Sequence, residues 1–489
     1  MNQAIKSICN IMRRSNCAGA LQYVPELTWI LFLRILDERE TREIEEAEAV
    51  GTAYRPSLDA PHRWQDWAAP TGAKRQELQN GALGAFFGFI NGELLPYLKG
   101  LKDKPGATPR QKVISEIMSG VERTRIDTER NFLDVLDKVH AISNDTVDDT
   151  HVFTLSQVYE GLLLSMGEKG NDGGQFFTPR EIIRVMARVV NPRVGETVYD
   201  PACGTGGFLA QAFEHMAGMN KANITSPDQL ETLKRRTFFG REKDNAIYPI
   251  ALANLVLHEI DEPHIWHGNG LTGQELYGGL FTDAPSLFKV ILTNPPFGGK
   301  EGKDAQTRFA YKTSSTQVLF LQHVIDSLEA GGRCGIVLDE GVLFRTSETA
   351  YVQTKRKLLE ECDLWCVISL PPGTFVNAGA GVKTDILFFT KGRPTERVWY
   401  YDLSGVKVGK KTPLLAAHFE EFFRLLPKRG DSERSWSIPI EEIAAKGYDL
   451  KAVNPHAKKD EDTRSTEELL DLIEAKGQEI SKALAVLRA

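Results

Sequence analysis

"DPACGTGGFL" occupies residues 200–209 and "TNPPFGG" occupies residues 293–299. Each follows a short apolar run, at 197–199 and at 289–293, so each reads as the loop at the carboxyl end of a strand. The first bends through glycine into a helix predicted over 206–216. Gly204, Gly206 and Gly207 remove side chains where a backbone must approach a ligand closely. The spacing is neither the dinucleotide G-x-G-x-x-G nor a phosphate-binding P-loop, because no Lys-Ser/Thr follows. The second stretch puts two prolines behind Asn294, about ninety residues downstream of the first.

Working outward from these loops, strands and helices alternate. Strands are predicted at 237–239, 265–267, 333–338, 366–370, 385–390 and 397–401, with helices near 245–257 and 317–328. Thr178-Pro179-Arg180-Glu181 has the pattern of a capping box. The helix it opens continues through Ile182, Ile183, Met186 and Val189. Such alternation predicts an α/β fold with a mostly parallel sheet covered by helices on both faces. In open sheets of this kind ligands bind at strand carboxyl ends. Glu242, in "FFGREKD", stands at the end of the next strand, where a carboxylate accepts hydrogen bonds from ribose hydroxyls; Asp244 is the second choice.

Asn294 invites a chemical reading. The exocyclic amine of a nucleobase delocalises its lone pair into the ring and attacks a sulfonium methyl poorly. Two acceptors beside it draw its hydrogens aside and expose the lone pair. The side-chain oxygen of Asn294 and the carbonyl of Pro295 suit that task, since proline fixes the local backbone. Phe297 can stack on an extruded base. The acceleration then comes from positioning and preorganised hydrogen bonds rather than from a strong base.

"DPACGTGGFL" and "NPPFGG", with "GGQFFTPREI" at 173–182, resemble the modification subunit of type I restriction–modification systems. Their order matches the gamma class of amino-methyltransferases. "LTWILFLRILDERE" at 27–40 resembles that family's N-terminal helical domain. "VISLPPGTF", "KTDILFFTKG" and "GYDLKAVNP" resemble its later strands and tail. The resemblance implies a Rossmann-like S-adenosylmethionine-dependent methyltransferase sheet between an N-terminal helical domain and a C-terminal helical tail. It implies methyl transfer to the exocyclic amine of adenine in DNA. By resemblance, Gln175, Phe176, Phe177, Thr178, Pro179 and Arg180 line the methionine end of S-adenosylmethionine. Asp200, Thr205, Gly206 and Gly207 hold it along the glycine loop, and Glu242 takes the ribose. Asn294, Pro295, Pro296 and Phe297 form the target-adenine site. Asn269, in "HGNGL", stands where related enzymes often carry an Asp near the adenine of the cofactor; it keeps an acceptor oxygen but no charge. The implied partners are DNA, a separate specificity subunit, a second modification subunit and a motor nuclease subunit.

The remaining sequence sets bounds. A chain of 489 residues is too long for one core. Residues 1–150 read as a helical domain, with apolar helical spacing from Leu27 to Leu36 behind Pro25 and again at Val113–Met118 and Phe132–Val139. Residues 151–400 read as the methyltransferase and 401–489 as a tail. There a charged linker at 457–464 precedes a second capping box, Ser465 and Glu468. The terminal helix carries Leu469, Ile473, Ile480, Leu484 and Leu487 as one stripe, suited to its own domain or to a partner helix. A net charge of −7 argues against binding phosphate backbones by charge alone. No signal peptide or membrane span is expected, and six scattered cysteines fit a reducing cytoplasm. Cys362 and Cys366 with His258, His264 and His267 leave zinc conceivable, but no second cysteine pair exists. Two other functions fit less well: a methyltransferase acting on a protein side-chain amide, and a non-catalytic assembly component. Cytosine is the weaker nucleobase candidate, since cytosine-amine enzymes more often place Ser where Asn294 sits.

Overall fold

The computed structural model describes residues 2–15, 17, 20–141, 178–275, 280, 284–375, 382–409, 412–457 and 465–488. Gln175, Phe176, Phe177 and nearly all of the 457–464 linker lie outside the described residues.

Among the described residues ten strands form one sheet, in the order β10-β9-β7-β8-β6-β5-β1-β2-β3-β4. They are β1 (Val198–Asp200), β2 (Phe238–Glu242), β3 (His264–Asn269), β4 (Gln274–Glu275), β5 (Phe288–Thr293), β6 (Leu328–Asp339), β7 (Cys362–Ser369), β8 (Thr384–Lys391), β9 (Arg397–Asp402) and β10 (Ser435–Pro439). Neighbours from β3 through β2, β1 and β5 to β6 all pair in parallel. The other half is mixed: β8 is antiparallel to both β6 and β7. The expected mostly parallel sheet is therefore right for the half that carries both motifs. It fails where β8 runs back beside β7, a return that needs no helical crossover.

Alternating side chains feed two cores. Val198, Val290, Leu292, Ile386 and Phe388 face one side; Tyr199, Ile291, Leu387 and Phe389 face the other. Helices Arg180–Val190, Gly207–Ala217 and Ile247–Leu257 cover the first face, and Thr316–Ser327 and Thr349–Glu361 the second. A bulge between Leu364 and Cys366 turns Cys366 onto the face opposite Cys362. Four residues apart, these thiols do not form a two-sulfur pair.

The first core runs on into the N-terminal helices. Helix Ile247–Leu257 ("IYPIALANLVL") is apolar around its whole circumference, as a helix buried on all sides must be. One side meets the helix behind the glycine loop. The others meet helices Ala20–Ala49 and Pro109–Met118. Around them Trp29, Trp64, Trp67 and Phe132 pack ring against ring. Pro25, expected to open a helix, lies inside Ala20–Ala49. Burial of Leu27, Trp29, Ile30, Leu31 and Phe32 just beyond it outweighs the local cost of proline. Ionic contacts also tie the two regions. Asp261, just past helix Ile247–Leu257, accepts from Arg39 at 2.6 Å and Arg110 at 3.1 Å. Arg39 also donates to the Val256 carbonyl at 2.9 Å.

The terminal helix Thr466–Arg488 starts with the expected capping box, Ser465 N–H to Glu468 at 2.7 Å and Glu468 N–H to the Ser465 hydroxyl at 3.2 Å. Its stripe is not packed on the domain: Ile473 is 67%, Ile480 60% and Leu484 45% exposed. No described helix is long and apolar enough to cross a membrane.

Candidate active site

From β1 the chain steps outward through β2 to β3, then returns to β5 on the other side of β1. The crevice between the carboxyl ends of β1 and β5 is thus the switch point where such sheets bind ligands. Both motifs open there. A hydrogen bond joins them: the Thr293 hydroxyl donates to Asp200 Oδ1 at 2.7 Å.

Asp200 Oδ1 also accepts the Ala202 N–H at 3.1 Å, which shapes the start of the loop. Its Oδ2 is buried with no partner among the described residues. Burial pushes the carboxyl up to about 7 despite these two donors. Gly204 (φ 52) and Gly206 (φ 80) then turn the chain into helix Gly207–Ala217. A Cβ on Gly206 would sit 3.1 Å from Leu255, and one on Gly207 3.1 Å from Ile183. The loop therefore lies directly on two helices. Asn254 holds it from below, its Nδ2 donating to the Thr205 carbonyl at 2.9 Å.

Glu242 ends β2 beside this loop. It accepts N–H groups from Gly204 at 3.0 Å and Asp244 at 2.8 Å. Burial raises its carboxyl to about 7, with Asp244 adding to that rise and the two N–H groups opposing it.

Asn294 follows β5. Its Nδ2 donates to the Thr178 hydroxyl at 3.0 Å, and its Oδ1 is buried with no partner among the described residues. Here the expected capping box fails. Helix Arg180–Val190 begins after Pro179 with no side-chain cap, because the Thr178 hydroxyl meets Asn294 instead. Pro295 is buried, and its carbonyl accepts a long bond, 3.4 Å, from Gln317 Nε2. Phe297 meets Phe375 edge to face, centroids 5.0 Å apart.

These groups share one cavity of about 540 Å³, within the range of small-molecule sites. Thr178, Arg180, Asp200, Thr205, Gly207 and Glu242 line one part of it, and Asn294, Pro296, Phe297 and Asn269 the rest. Pro179, Gly206 and Pro295 are the chain neighbours of these lining residues. Asn269 Oδ1 accepts the Leu271 N–H at 3.0 Å, which leaves one of its two lone pairs. Burial lowers the Arg180 guanidinium from its ordinary value.

Three contributors were not anticipated. Asn254 left a faint signal, as an amide in an otherwise apolar helix. Phe375, in "PPGTF", was a lone aromatic in a proline turn. Gln317, whose Oε1 accepts the Asp339 N–H at 2.8 Å, ties β6 to the Asn294 loop and left none.

A family model described as N-6 DNA Methylase matches residues 150–464. The chain belongs to the N-6 DNA methylase family. Within this family it groups with the methylase subunits of type I restriction enzymes, and residues 1–116 match the HsdM N-terminal domain. It is 33% identical to the EcoEI methylase subunit of Escherichia coli over 93% of this chain and 90% of that one. The EcoKI methylase subunit, also from Escherichia coli, is 30% identical over 86% and 76%. Among solved structures, a chain of a type I R-M system matches with TM-score 0.74 and 36% identity, covering 99% of this chain and 97% of that chain. A modification subunit from Vibrio vulnificus matches with TM-score 0.80 and 31% identity over 93% and 96%. These N-6 methylase relatives span the helical N-terminal region as well as the sheet, which does not favour the protein-amide reading.

Proposed function

We propose that this chain is the modification subunit of a type I restriction–modification system. It methylates the exocyclic 6-amino group of adenine in DNA, at sites chosen by a separate specificity subunit. One observation carries the reading: the residues lining one cavity at the switch point include two buried acceptors with no partner among the described residues, Asp200 Oδ2 on the β1 side and Asn294 Oδ1 on the β5 side.

The donor set fits S-adenosylmethionine. Asp200 Oδ2 would take its amino group, and Glu242 its ribose hydroxyls, with lone pairs to spare beyond two N–H bonds. Gln175, Phe176, Phe177, Thr178, Pro179 and Arg180 would enclose its carboxylate end at a helix N-terminus. When bound, it supplies a methyl group on a sulfonium centre. Asn294 Oδ1 accepts a hydrogen from the adenine amine, with Thr178 holding the amide in place. Pro295 has a second lone pair for the other hydrogen. Phe297 stacks on the extruded base. No residue needs to act as a strong base: the methyl moves from sulfur to nitrogen, a neutral thioether is left behind, and the now cationic amine sheds its proton to water.

In this reading 1–150 form a helical domain that closes on DNA or on a second modification subunit, and 151–400 the methyltransferase. Residues 401–489 end in a helix whose bare stripe packs on helices of the specificity subunit. A motor nuclease subunit can join that complex, and the compartment is the cytoplasm. The test combines this chain, its specificity subunit, labelled S-adenosylmethionine and duplex DNA. Label recovered as 6-methyladenine is expected. Label only in protein, or none, would refute the reading.

A further inference from the structure

We propose that Glu301, rather than Asn269, recognises the adenine base of the methyl donor. This rests on the function proposed above. With the glycine loop at β1 and the ribose at Glu242 on β2, a nucleoside base extends toward the next strand end, β3. Gly268, Asn269 and Gly270 line the cavity there, and Glu301 lines it too.

An adenine base offers an exocyclic amine and so needs an acceptor. Asn269 is the weaker one: it is neutral and has only one lone pair left. The Leu271 N–H occupies its Oδ1 at 3.0 Å, and its Nδ2 points at Glu301 Oε2, 3.5 Å away. The partners fix this orientation, because an N–H must face the oxygen and a carboxylate the nitrogen. Asp244, the other carboxylate near this end, turns Oδ1 to the Ala246 and Ile247 N–H groups at 2.8 and 3.1 Å.

Glu301 is held ready. Its N–H donates to the Ser314 carbonyl at 2.9 Å, and its own carbonyl accepts from Gln306 at 2.7 Å. Lys300 pairs with Ser315 in an isolated β-bridge. The carboxylate accepts the Thr316 hydroxyl at 3.1 Å and the long Asn269 contact. A carboxylate has about four acceptor positions, so capacity for an amine remains. One loop, from Asn294 to Glu301, then reads two adenines: the acceptor's at its start and the donor's at its end.

Calorimetry on the full-length chain tests this with S-adenosylhomocysteine and its hypoxanthine counterpart, in which a carbonyl replaces the amine. The native chain should prefer the adenine form by tens-fold, the scale of a hydrogen bond to a charged group. In E301A that preference should collapse to near unity. E301Q should bind the hypoxanthine form more tightly than the native chain does, because its amide can donate to that carbonyl; damage to the fold cannot produce such a gain. Equal weakening of both ligands in E301A, or a collapse caused by N269A instead, would overturn the assignment. Failure of the native chain to bind either ligand would sink the underlying function as well.

Discussion

Asn294→Ala is the substitution with the most to say. The change removes Oδ1, the buried acceptor with no partner among the described residues, and Nδ2, which bonds Thr178 at 3.0 Å. The second loss concerns the folded protein and is worth about 1 kcal/mol. The first concerns the reacting amine. Loss of one preorganised partner in such a site costs about 10²- to 10³-fold in turnover. Asp200 and Glu242 lie across the crevice on β1 and β2 and stay intact, so cofactor affinity should stay within about twofold, well under 1 kcal/mol. The assay is single-turnover methyl transfer on duplex DNA with the specificity subunit, alongside calorimetric binding of S-adenosylhomocysteine. Thr178→Val is the companion: it keeps Oδ1 but frees the amide to rotate, and should give a smaller loss in the same direction. If Asn294→Ala binds cofactor and turns over within about threefold of the native rate, well short of the expected loss, the amine-acceptor role is wrong.

Other consequences can be measured together. Asp261→Ala removes a partner shared by Arg39 and Arg110, while Glu43 still pairs with both; stability should fall by about 2–3 kcal/mol, read as a lower melting temperature, and an unchanged one would show the network to be idle. Burial places the Asp200 and Glu242 carboxyls near 7, so both hold protons in the free protein below that pH. Cofactor needs them ionised, so its affinity should rise between about pH 5 and 7 and then level off. Net proton release on binding near pH 6, absent above about pH 8, checks the sign; in the free protein the same shifts favour folding as pH falls toward the ordinary carboxylate range. Deleting residues 465–489 should leave melting unchanged and abolish co-elution with the specificity subunit; normal co-elution would discard the helix as the contact.

The strand ends that carry both motifs were legible in the sequence because glycine and proline punctuate them. The Asn294 acceptor was legible because its chemistry is local. What escaped depends on distant partners. Thr178 looks like a cap until Asn294, 116 residues on, claims its hydroxyl. Asn269 looks like a free acceptor until its own turn takes one of the oxygen's two lone pairs. Asp261 gives no sign of arginines 222 and 151 residues away. The antiparallel β8 was also hidden, since a buried apolar strand reads the same in either direction.

The helix Ile247–Leu257, apolar but for Asn254, has a practical consequence. Cutting the chain between the helical region and the sheet would bare a greasy slab to water, so the sheet region expressed alone should precipitate rather than fold cleanly. The same slab constrains exchange among relatives: an N-terminal segment from another system will graft only together with a helix shaped to receive it. The floor under the glycine loop is therefore inherited jointly with residues far upstream of it in the chain.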